Sequence, residues 1–193
     1  MLDNLNKYRV ILASNSPRRK ELLRNLGVEY EVRTLPDVDE SYPDTLRGGD
    51  IPLYIACEKA QAYRSALQPG ELMITADTVV CIDGEVLGKP DDAEGAKEML
   101  RRLSGRSHHV YTGVALTTTD SQRSFVSETE VRFAPLTEEE IAYYVDTFAP
   151  LDKAGAYGVQ EWIGFIGVEY IRGSYFNVMG LPVQRLYREL CRL

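Results

Sequence analysis

The chain has 193 residues, of which 44% are hydrophobic and 26% charged, and these values fit a globular protein with a sizeable core. Its net charge of −7 argues against a nucleic-acid polymer as partner, because duplex binders present an extended basic face. No stretch approaches the roughly 18 apolar residues of a membrane span, and residues 1–7 contain no apolar signal region. Three widely spaced cysteines form no CxxC pair, so we expect buried thiols, a reducing interior and a cytoplasmic location.

The first predicted elements are a strand over residues 8–13, a tight loop and a helix. Ser16 suits the N-cap of this helix, Pro17 its first position and Gly27 the residue after its end. Residues 18–20 add three cations to the first turn, although a helix N-terminus prefers acidic side chains. One interpretation is an anion held by free backbone N–H groups and two guanidinium groups. The other is that long side chains simply extend into water.

Beyond this helix, the pattern alternates between strands and helices. The predicted strands cover residues 30–35, 72–76, 79–82, 85–87, 109–119 and 125–133. The predicted helices cover residues 52–67, 90–103 and 137–148, and a last one begins at residue 181. Asp83-Gly84 marks a hairpin turn, Thr137 opens a capping box with Glu140, and an acidic loop runs over residues 36–50. The sequence therefore predicts an α/β protein with a mixed sheet, and it allows two lobes with a cleft.

Asp77 is a carboxylate inside an apolar β stretch, Ala76 to Val80, where an unpaired charge is costly. One interpretation is a structural aspartate bonded to backbone amides. The other is an acid that lies near a metal ion or an attacking water. Lys89 follows the hairpin on a turn that Pro90 constrains, and by itself it is a weak signal, because most loop lysines are solvated.

Two further segments are candidates for a ligand site. His108 and His109 are adjacent in a strand and should point to opposite faces, which predicts one packed and one exposed ring rather than joint metal ligation. Residues 151–160 are rich in small side chains and suit close approach of a ligand or a plain turn. No Walker loop, GxGxxG, nucleophile elbow or zinc spacing is present. Cations, carboxylates and small loops fit phosphoanhydride cleavage better than acyl transfer.

An ordered set of short motifs, spread over residues 8–187, resembles the Maf family of nucleoside triphosphate pyrophosphatases. The motifs are Ser14 to Arg19, Glu58 to Ala60, Ala76 to Val80, Gly88 to Pro90, Ser104 to Arg106, Thr112 to Val114, Asp152 to Gly158 and Gly173 to Pro182. The resemblance implies one Maf-like domain over residues 1–193, with two lobes, a mixed twisted sheet and a central cleft, as in the inosine triphosphate pyrophosphatases. It also implies a cytoplasmic homodimer that uses a divalent cation, Mg²⁺ or Mn²⁺, to form the nucleoside monophosphate and pyrophosphate.

The resemblance assigns the positive and hydroxyl groups of the site. Ser14, Arg18 and Arg19 correspond to the residues of the first loop that face the substrate phosphates. Lys59 and Lys89 correspond to the two lysines of the family's catalytic machinery. These cations would neutralise the charge that builds on the leaving pyrophosphate.

The resemblance also assigns the acids and the base-recognising residues. Asp77 corresponds to the proton acceptor, and with Glu40 it corresponds to the metal ligands. Arg18, Thr78 and Gln160 match the branch that acts on dTTP and UTP. The branch that acts on 7-methyl-GTP has Trp and Gln at the first two of these three positions, so we expect the pyrimidine branch. The alternatives are a 7-methyl-GTP pyrophosphatase, or a nucleotide-binding regulator of cell division whose turnover is incidental.

Two departures from the family pattern lie close in sequence to the predicted site residues Lys59 and Gln160. Tyr54 replaces an arginine that usually stands five residues before the helix lysine. Glu161 and Trp162 replace the glycine that usually follows Gln160, beside the expected base pocket. Base preference is therefore less firmly predicted than reaction type.

Overall fold

The computed structural model of the protein describes residues 2–35 and 38–193, so the first two positions of the predicted acidic loop, Pro36 and Asp37, lie outside the described residues. The described α-helices are α1 (Pro17–Asn25), α2 (Asp50–Tyr63), α3 (Ala93–Leu103), α4 (Glu138–Phe148), α5 (Trp162–Gly167), α6 (Tyr175–Met179) and α7 (Val183–Leu190). Short 3₁₀ turns occupy Asp3–Lys7, Arg64–Ala66 and Ala154–Ala156. In this part of the chain, no helix has both the length and the apolarity that crossing a bilayer would need.

The strands are β1 (Arg9–Leu12), β2 (Glu31–Val32), β3 (Glu71–Ile82), β4 (Glu85–Leu87), β5 (Ser107–Thr117), β6 (Gln122–Phe133) and β7 (Val168–Arg172). They form one sheet with the order β2-β1-β3-β5-β6-β7, and β4 pairs with β3. Strand β1 is parallel to both β2 and β3, whereas β4 is antiparallel to β3 and β7 to β6. The predicted α/β class with a mixed sheet is therefore confirmed.

The chain divides into two compact units, and strands β3, β5 and β6 each contribute residues to both. The first unit contains the residues up to Asp77, Thr112–Ser127 and Gly180–Leu193. The second contains Thr78–Tyr111 and Glu128–Met179. The assignment of the whole chain to a single domain with a cleft stays a prediction.

In the first unit, α2 lies directly against the sheet. The hydroxyl of Thr75 on β3 donates a hydrogen bond of 2.7 Å to the carbonyl of Ala56 on α2. A Cβ at Gly113 on β5 would lie 2.3 Å from the carbonyl oxygen of Pro52, so a glycine is required where the strand meets the start of the helix. The core cluster here consists of Ile11, Ala13, Ala60, Tyr63, Leu67, Met73 and Ala115. This packing holds α2, and the side chains it carries, at a fixed place on β3.

In the second unit, α3 packs against α4. Leu100 and Leu103 are fully buried on α3, and Ile141 is buried on α4. An ion pair of 2.9 Å between Arg101 and Glu138 joins the exposed sides of the two helices. The predicted capping box of α4 and the predicted hairpin turn between β3 and β4 are both confirmed.

The histidine pair behaves as predicted. His108 is fully buried, with Nε2 2.6 Å from the Tyr157 hydroxyl, and its ring packs edge-on against Phe133. Burial lowers the pKa of His108 to about 3, so the ring is neutral at physiological pH. The side chain of His109 is 44% exposed and lies 2.8 Å from Glu128. The two rings therefore serve different faces of β5, and they do not converge on one point.

Three expectations about element boundaries were wrong. The predicted strands 72–76 and 79–82 are one continuous strand, because Asp77 and Thr78 keep an extended backbone within β3. The predicted strand 30–35 is shortened to Glu31–Val32. The Gly-rich segment before residue 181, for which no regular element was predicted, contains α5, β7 and α6. Glycines within and beside the short helices weakened the helical signal there, although the alternation in Val168–Arg172 was a visible sign of a strand.

Glu71 begins β3, and hydrogen bonds strongly perturb its carboxylate. Its side chain is only 3% exposed and receives two hydrogen bonds from the Arg33 guanidinium, at 2.6 and 2.8 Å. The backbone N–H of Gln68 donates a further bond of 2.9 Å. The hydrogen bonds from Arg33 are the largest cause that lowers the pKa of Glu71, to about 2. The ionised form of Glu71 therefore stabilises the folded state.

We predict that Glu71→Gln lowers the free energy of unfolding by about 2 kcal/mol at pH 7, because the bidentate pair with Arg33 is lost. The pKa of Glu71 is about 2 in the folded state and 4.5 in its ordinary state. The contribution should therefore be complete above the upper value and be lost as the pH falls toward the lower one. Denaturant unfolding at pH 7 and pH 3 measures it. Glu31→Gln, which removes an exposed partner of Arg9, is the control and should have little effect; equal losses in the two variants would contradict the prediction.

Candidate active site

The loop that enters α1 has the predicted cap. The Ser16 hydroxyl accepts a hydrogen bond from the backbone N–H of Arg19, and Pro17 occupies the first position of the helix. Ser14 is nearly buried, and its hydroxyl accepts from the backbone N–H of Ser16 at 3.2 Å. The first turn contains no acidic residue. The hydroxyl of Ser14 and the helix N-terminus are thus placed together, as a site for an anion requires.

Arg19 turns back from α1 into the first unit and does not extend into water. Its Nε donates to the carbonyl of Gly180 at 2.9 Å, and its Nη1 donates to the carbonyl of Ala76 at 2.8 Å. Desolvation lowers the pKa of this guanidinium below its ordinary value, and the nearby Asp77 carboxylate opposes the shift. Arg19 therefore fixes the backbone next to Asp77 and also places positive charge near that carboxylate.

Asp77 is paired with a cation from α2. The Lys59 ammonium lies 2.9 Å from a carboxylate oxygen of Asp77 and 2.8 Å from one of Glu40. The side chains of Lys59 and Asp77 are 12% and 13% exposed, whereas that of Glu40 is 49% exposed. Asp77 is therefore an acid in a charged cluster and is not bonded only to backbone amides, and its place near a metal ion or an attacking water stays a prediction.

The same cluster contains the donors that a divalent cation would use. Asp77 and Glu40 offer carboxylate oxygens, the ligand type that Mg²⁺ and Mn²⁺ prefer, within 3 Å of one shared nitrogen. Among the described residues, no group of three or more His, Cys, Asp or Glu side chains could hold a metal ion. A cation at this place would thus take its remaining ligands from water and from substrate oxygens, which is usual for Mg²⁺ at phosphate sites.

The other predicted residues belong to the second unit. Thr78 follows Asp77 along β3 and is half-buried, and Lys89 is exposed on the turn after β4. Gln160 is half-buried, and its Oε1 atom is buried without a hydrogen-bond partner among the described residues. An unsatisfied buried acceptor is costly, so such an atom is a candidate for binding a ligand donor.

The departure at position 161 is part of a polar cluster that was not predicted from the sequence. The carboxylate of Glu161 accepts a short hydrogen bond from the Tyr144 hydroxyl and lies 3.2 Å from the Lys153 ammonium. The Tyr144 hydroxyl accepts from the backbone N–H of Gly158 at 2.9 Å. Tyr144 and Lys153 were not among the predicted site residues, because their positions become meaningful only through contacts that the fold creates.

The structure therefore brings six of the predicted residues into the first unit: Ser14, Arg18, Arg19, Glu40, Lys59 and Asp77. Contacts or electrostatic coupling link Arg18, Arg19, Glu40, Lys59 and Asp77. Thr78, Lys89 and Gln160 belong to the second unit. The roles of all nine residues in substrate binding and catalysis stay predictions. At the other departure, Tyr54 is half-buried on α2.

Comparison with known proteins shows what this chain is similar to. The family described as "Maf-like protein" matches residues 9–193. A protein of Bacteroides thetaiotaomicron named dTTP/UTP pyrophosphatase is 67% identical over 193 residues, which cover 100% of each chain. A protein of the same name from Parabacteroides distasonis is 55% identical over 190 residues, 98% of each chain. The solved structure of a HAM1 protein from Coxiella burnetii, 18% identical, matches with a TM-score of 0.52 over 96% of this chain and 100% of that chain, and it supports the fold alone.

We predict that Arg19→Lys lowers the free energy of unfolding by about 1–2 kcal/mol, because one ammonium cannot reproduce a guanidinium that donates to two separate carbonyls. Arg24→Lys, an exposed arginine on the same helix, is the matched control and should leave stability nearly unchanged. Denaturant unfolding of both variants provides the comparison. If Arg19→Lys were as stable as Arg24→Lys, the anchoring role of Arg19 would be refuted.

Proposed function

The chain belongs to the Maf family, and on this premise we propose that it hydrolyses dTTP and UTP to the nucleoside monophosphate and pyrophosphate. The relatives described above carry the name dTTP/UTP pyrophosphatase and match over the full chain at 67% and 55% identity. The observation that carries the proposal is the cluster in which Asp77 and Glu40 share the Lys59 ammonium. This cluster combines a proton acceptor, cations and hard oxygen donors, the groups that phosphoanhydride hydrolysis needs.

Asp77 is the proton acceptor in this proposal. A water molecule attacks the α-phosphorus, and the carboxylate of Asp77 takes one of its protons. The bond from the α-phosphorus to the bridging oxygen breaks, and that oxygen leaves with the pyrophosphate. The water oxygen stays on the nucleoside monophosphate. Lys59, 2.9 Å from Asp77, holds the carboxylate in place before the attack.

Asp77 and Glu40 are the residues that we assign to a divalent cation. When bound, Mg²⁺ or Mn²⁺ would neutralise phosphate charge and lower the pKa of a bound water. The carboxylates fit this role by their chemistry, and Glu40, whose side chain is 49% exposed, is accessible to a cation. In the absence of a cation, Lys59 compensates the negative charge of both acids.

The positive groups account for the rest of the phosphate chemistry. Arg18 and Arg19 lie at the N-terminus of α1, where the helix dipole also favours an anion. Lys59 and Lys89 supply two further positive charges. Each of these groups can stabilise negative charge on a phosphate, and such stabilisation is the largest catalytic term in phosphoryl transfer. Ser14 would donate its hydroxyl to a phosphate oxygen.

Gln160 is the residue that we assign to the base, with Thr78 beside the catalytic acid. The buried Oε1 atom of Gln160 is an acceptor without a described partner. Uracil and thymine carry a donor at N3–H, whereas the N3 atom of cytosine is itself an acceptor. An acceptor at Gln160 would therefore favour dTTP and UTP, because the wrong base leaves buried polar groups unpaired. The homodimer and the cytoplasmic location stay predictions of the family resemblance.

The proposal predicts that Asp77→Asn lowers kcat for pyrophosphate release from dTTP by about 10²- to 10⁴-fold, the usual contribution of a general base. The Kd for the nucleotide should change little, because Asn preserves the shape of the side chain. Asp120→Asn, in the exposed turn between β5 and β6, is the control and should retain full activity. Near-normal turnover by Asp77→Asn would refute the assigned role, and absence of multiple turnover by the natural chain would refute the proposed function.

The cation is tested by its removal. EDTA should reduce pyrophosphate release from dTTP to background, and added Mg²⁺ or Mn²⁺ should restore it. Glu40→Gln should raise the Mg²⁺ concentration for half-maximal activity by about tenfold or more, because one carboxylate ligand is lost. Glu29→Gln, an exposed position after α1, should leave that concentration unchanged. Full activity in EDTA, or an unaltered Mg²⁺ requirement in Glu40→Gln, would contradict the assignment of the ligands.

A further inference from the structure

The hydroxyl of Tyr144 is hydrogen-bonded to residues on both sides of Gln160 in the chain. The hydroxyl of Tyr144, on the fully buried face of α4, accepts from the backbone N–H of Gly158 at 2.9 Å. The same hydroxyl donates a short hydrogen bond to the carboxylate of Glu161. Gly158 lies two residues before Gln160, and Glu161 follows it directly. A single rigid side chain therefore fixes the backbone before and after Gln160.

The second oxygen of Glu161 is also occupied. It lies 3.2 Å from the Lys153 ammonium, which in turn lies 2.7 Å from the carboxylate of Asp152. The side chains of Lys153 and Glu161 are 10% and 21% exposed. When a buried ion pair is replaced by well-packed apolar residues, the stability of the protein is often unchanged. The Lys153–Glu161 pair is therefore better explained by the position that it gives to Glu161.

The backbone around Gln160 is tightly packed against this cluster. A Cβ at Gly158 would lie 2.7 Å from the carboxylate carbon of Glu161, so the carboxylate rests directly on the glycine backbone. The N–H of Glu161 donates to the carbonyl of Gly158, and the N–H of Gly164 donates to the carbonyl of Glu161, both at 2.9 Å. The position of the Gln160 Cα is thus determined on both sides.

Nothing comparable holds the amide oxygen itself. The Oε1 atom of Gln160 is buried and has no hydrogen-bond partner in the part of the chain that the structure describes. Its direction is therefore set by the backbone and not by a bond to the oxygen. A displacement of the loop would move this acceptor, and hydrogen bonds weaken steeply with poor geometry.

We propose that Glu161, held by Tyr144 and Lys153, is a positioning residue that aims the amide of Gln160 and thereby sets the preference for bases with an N3–H donor. This inference rests on the proposed function and extends it to residues to which we assign no contact with the substrate. The departure from the family pattern at position 161 is then a functional substitution: a carboxylate that binds two partners takes the place of a glycine.

Tyr144→Phe tests the inference, because it removes only the hydroxyl that links Gly158 to Glu161. The ratio of kcat/KM for dTTP to that for dCTP should fall by about tenfold, chiefly through a higher KM for dTTP, with kcat changed by less than about threefold. Glu161→Gln keeps an acceptor for the Tyr144 hydroxyl and loses the charge that binds Lys153. It should lower the ratio in the same direction by about threefold.

Tyr143→Phe is the matched control, since Tyr143 is the neighbouring residue on α4, with half of its surface exposed and its ring against Trp162. It should leave the ratio unchanged. Thermal melts verify that each variant is folded. If folded Tyr144→Phe and Glu161→Gln retain the natural ratio, or lose activity equally on both nucleotides, the cluster only stabilises the unit and the inference is overturned.

A binding measurement separates this inference from the proposed function. Calorimetry with dTMP and dCMP measures the ratio of the Kd for dCMP to the Kd for dTMP, and this ratio does not depend on turnover. If the natural chain prefers dTMP and hydrolyses no triphosphate, the proposed function fails while the inference is judged by the change of this ratio in Tyr144→Phe. The inference expects a fall of about tenfold in that ratio. Equal binding of dTMP and dCMP by the natural chain would overturn it.

Discussion

The requirement that Asp77 be paired determines how the first unit is built. A carboxylate within an apolar strand is tolerated only when cations and hydrogen-bond donors surround it. Lys59 provides the ion pair at 2.9 Å, and Arg19 secures the preceding residue by donating to the Ala76 carbonyl. Each comes from a different helix, so α1 and α2 must both be held against β3. The tight contact at Gly113 and the Thr75–Ala56 hydrogen bond provide that constraint for α2.

In the second unit, the Glu161 carboxylate is paired in a different way. Glu161 is satisfied by a phenol and an ammonium, and the resulting cluster stabilises a particular loop geometry instead of a reactive carboxylate. The amide oxygen of Gln160 is a buried acceptor with no hydrogen-bond partner among the described residues. In our proposal, Asp77 and Lys59 act on the phosphates, and Gln160 recognises the base.

The sequence predicted most of the regular elements, because hydrophobic periodicity and capping residues are local signals. The cap of α1 at Ser16, the capping box at Thr137 and the opposite faces of His108 and His109 all followed from neighbouring residues. The short helices α5 and α6 were missed, because glycines within and beside them weaken the local signal, whereas β7 was missed although its alternating pattern was visible. The importance of Asp77 could be inferred from its apolar surroundings. Its pairing with Lys59, and the cluster of Tyr144, Lys153 and Glu161, could not, because long-range contacts leave no pattern in one sequence.

Hydrolysis of dTTP in water enriched in oxygen-18 measures the central step most directly. If a water activated at Asp77 attacks the α-phosphorus, one labelled oxygen appears in thymidine monophosphate and the released pyrophosphate carries none. Mass spectrometry of both products after less than one-tenth conversion distinguishes the two positions. Label in the pyrophosphate, or release of inorganic phosphate in place of pyrophosphate, would contradict the proposed chemistry.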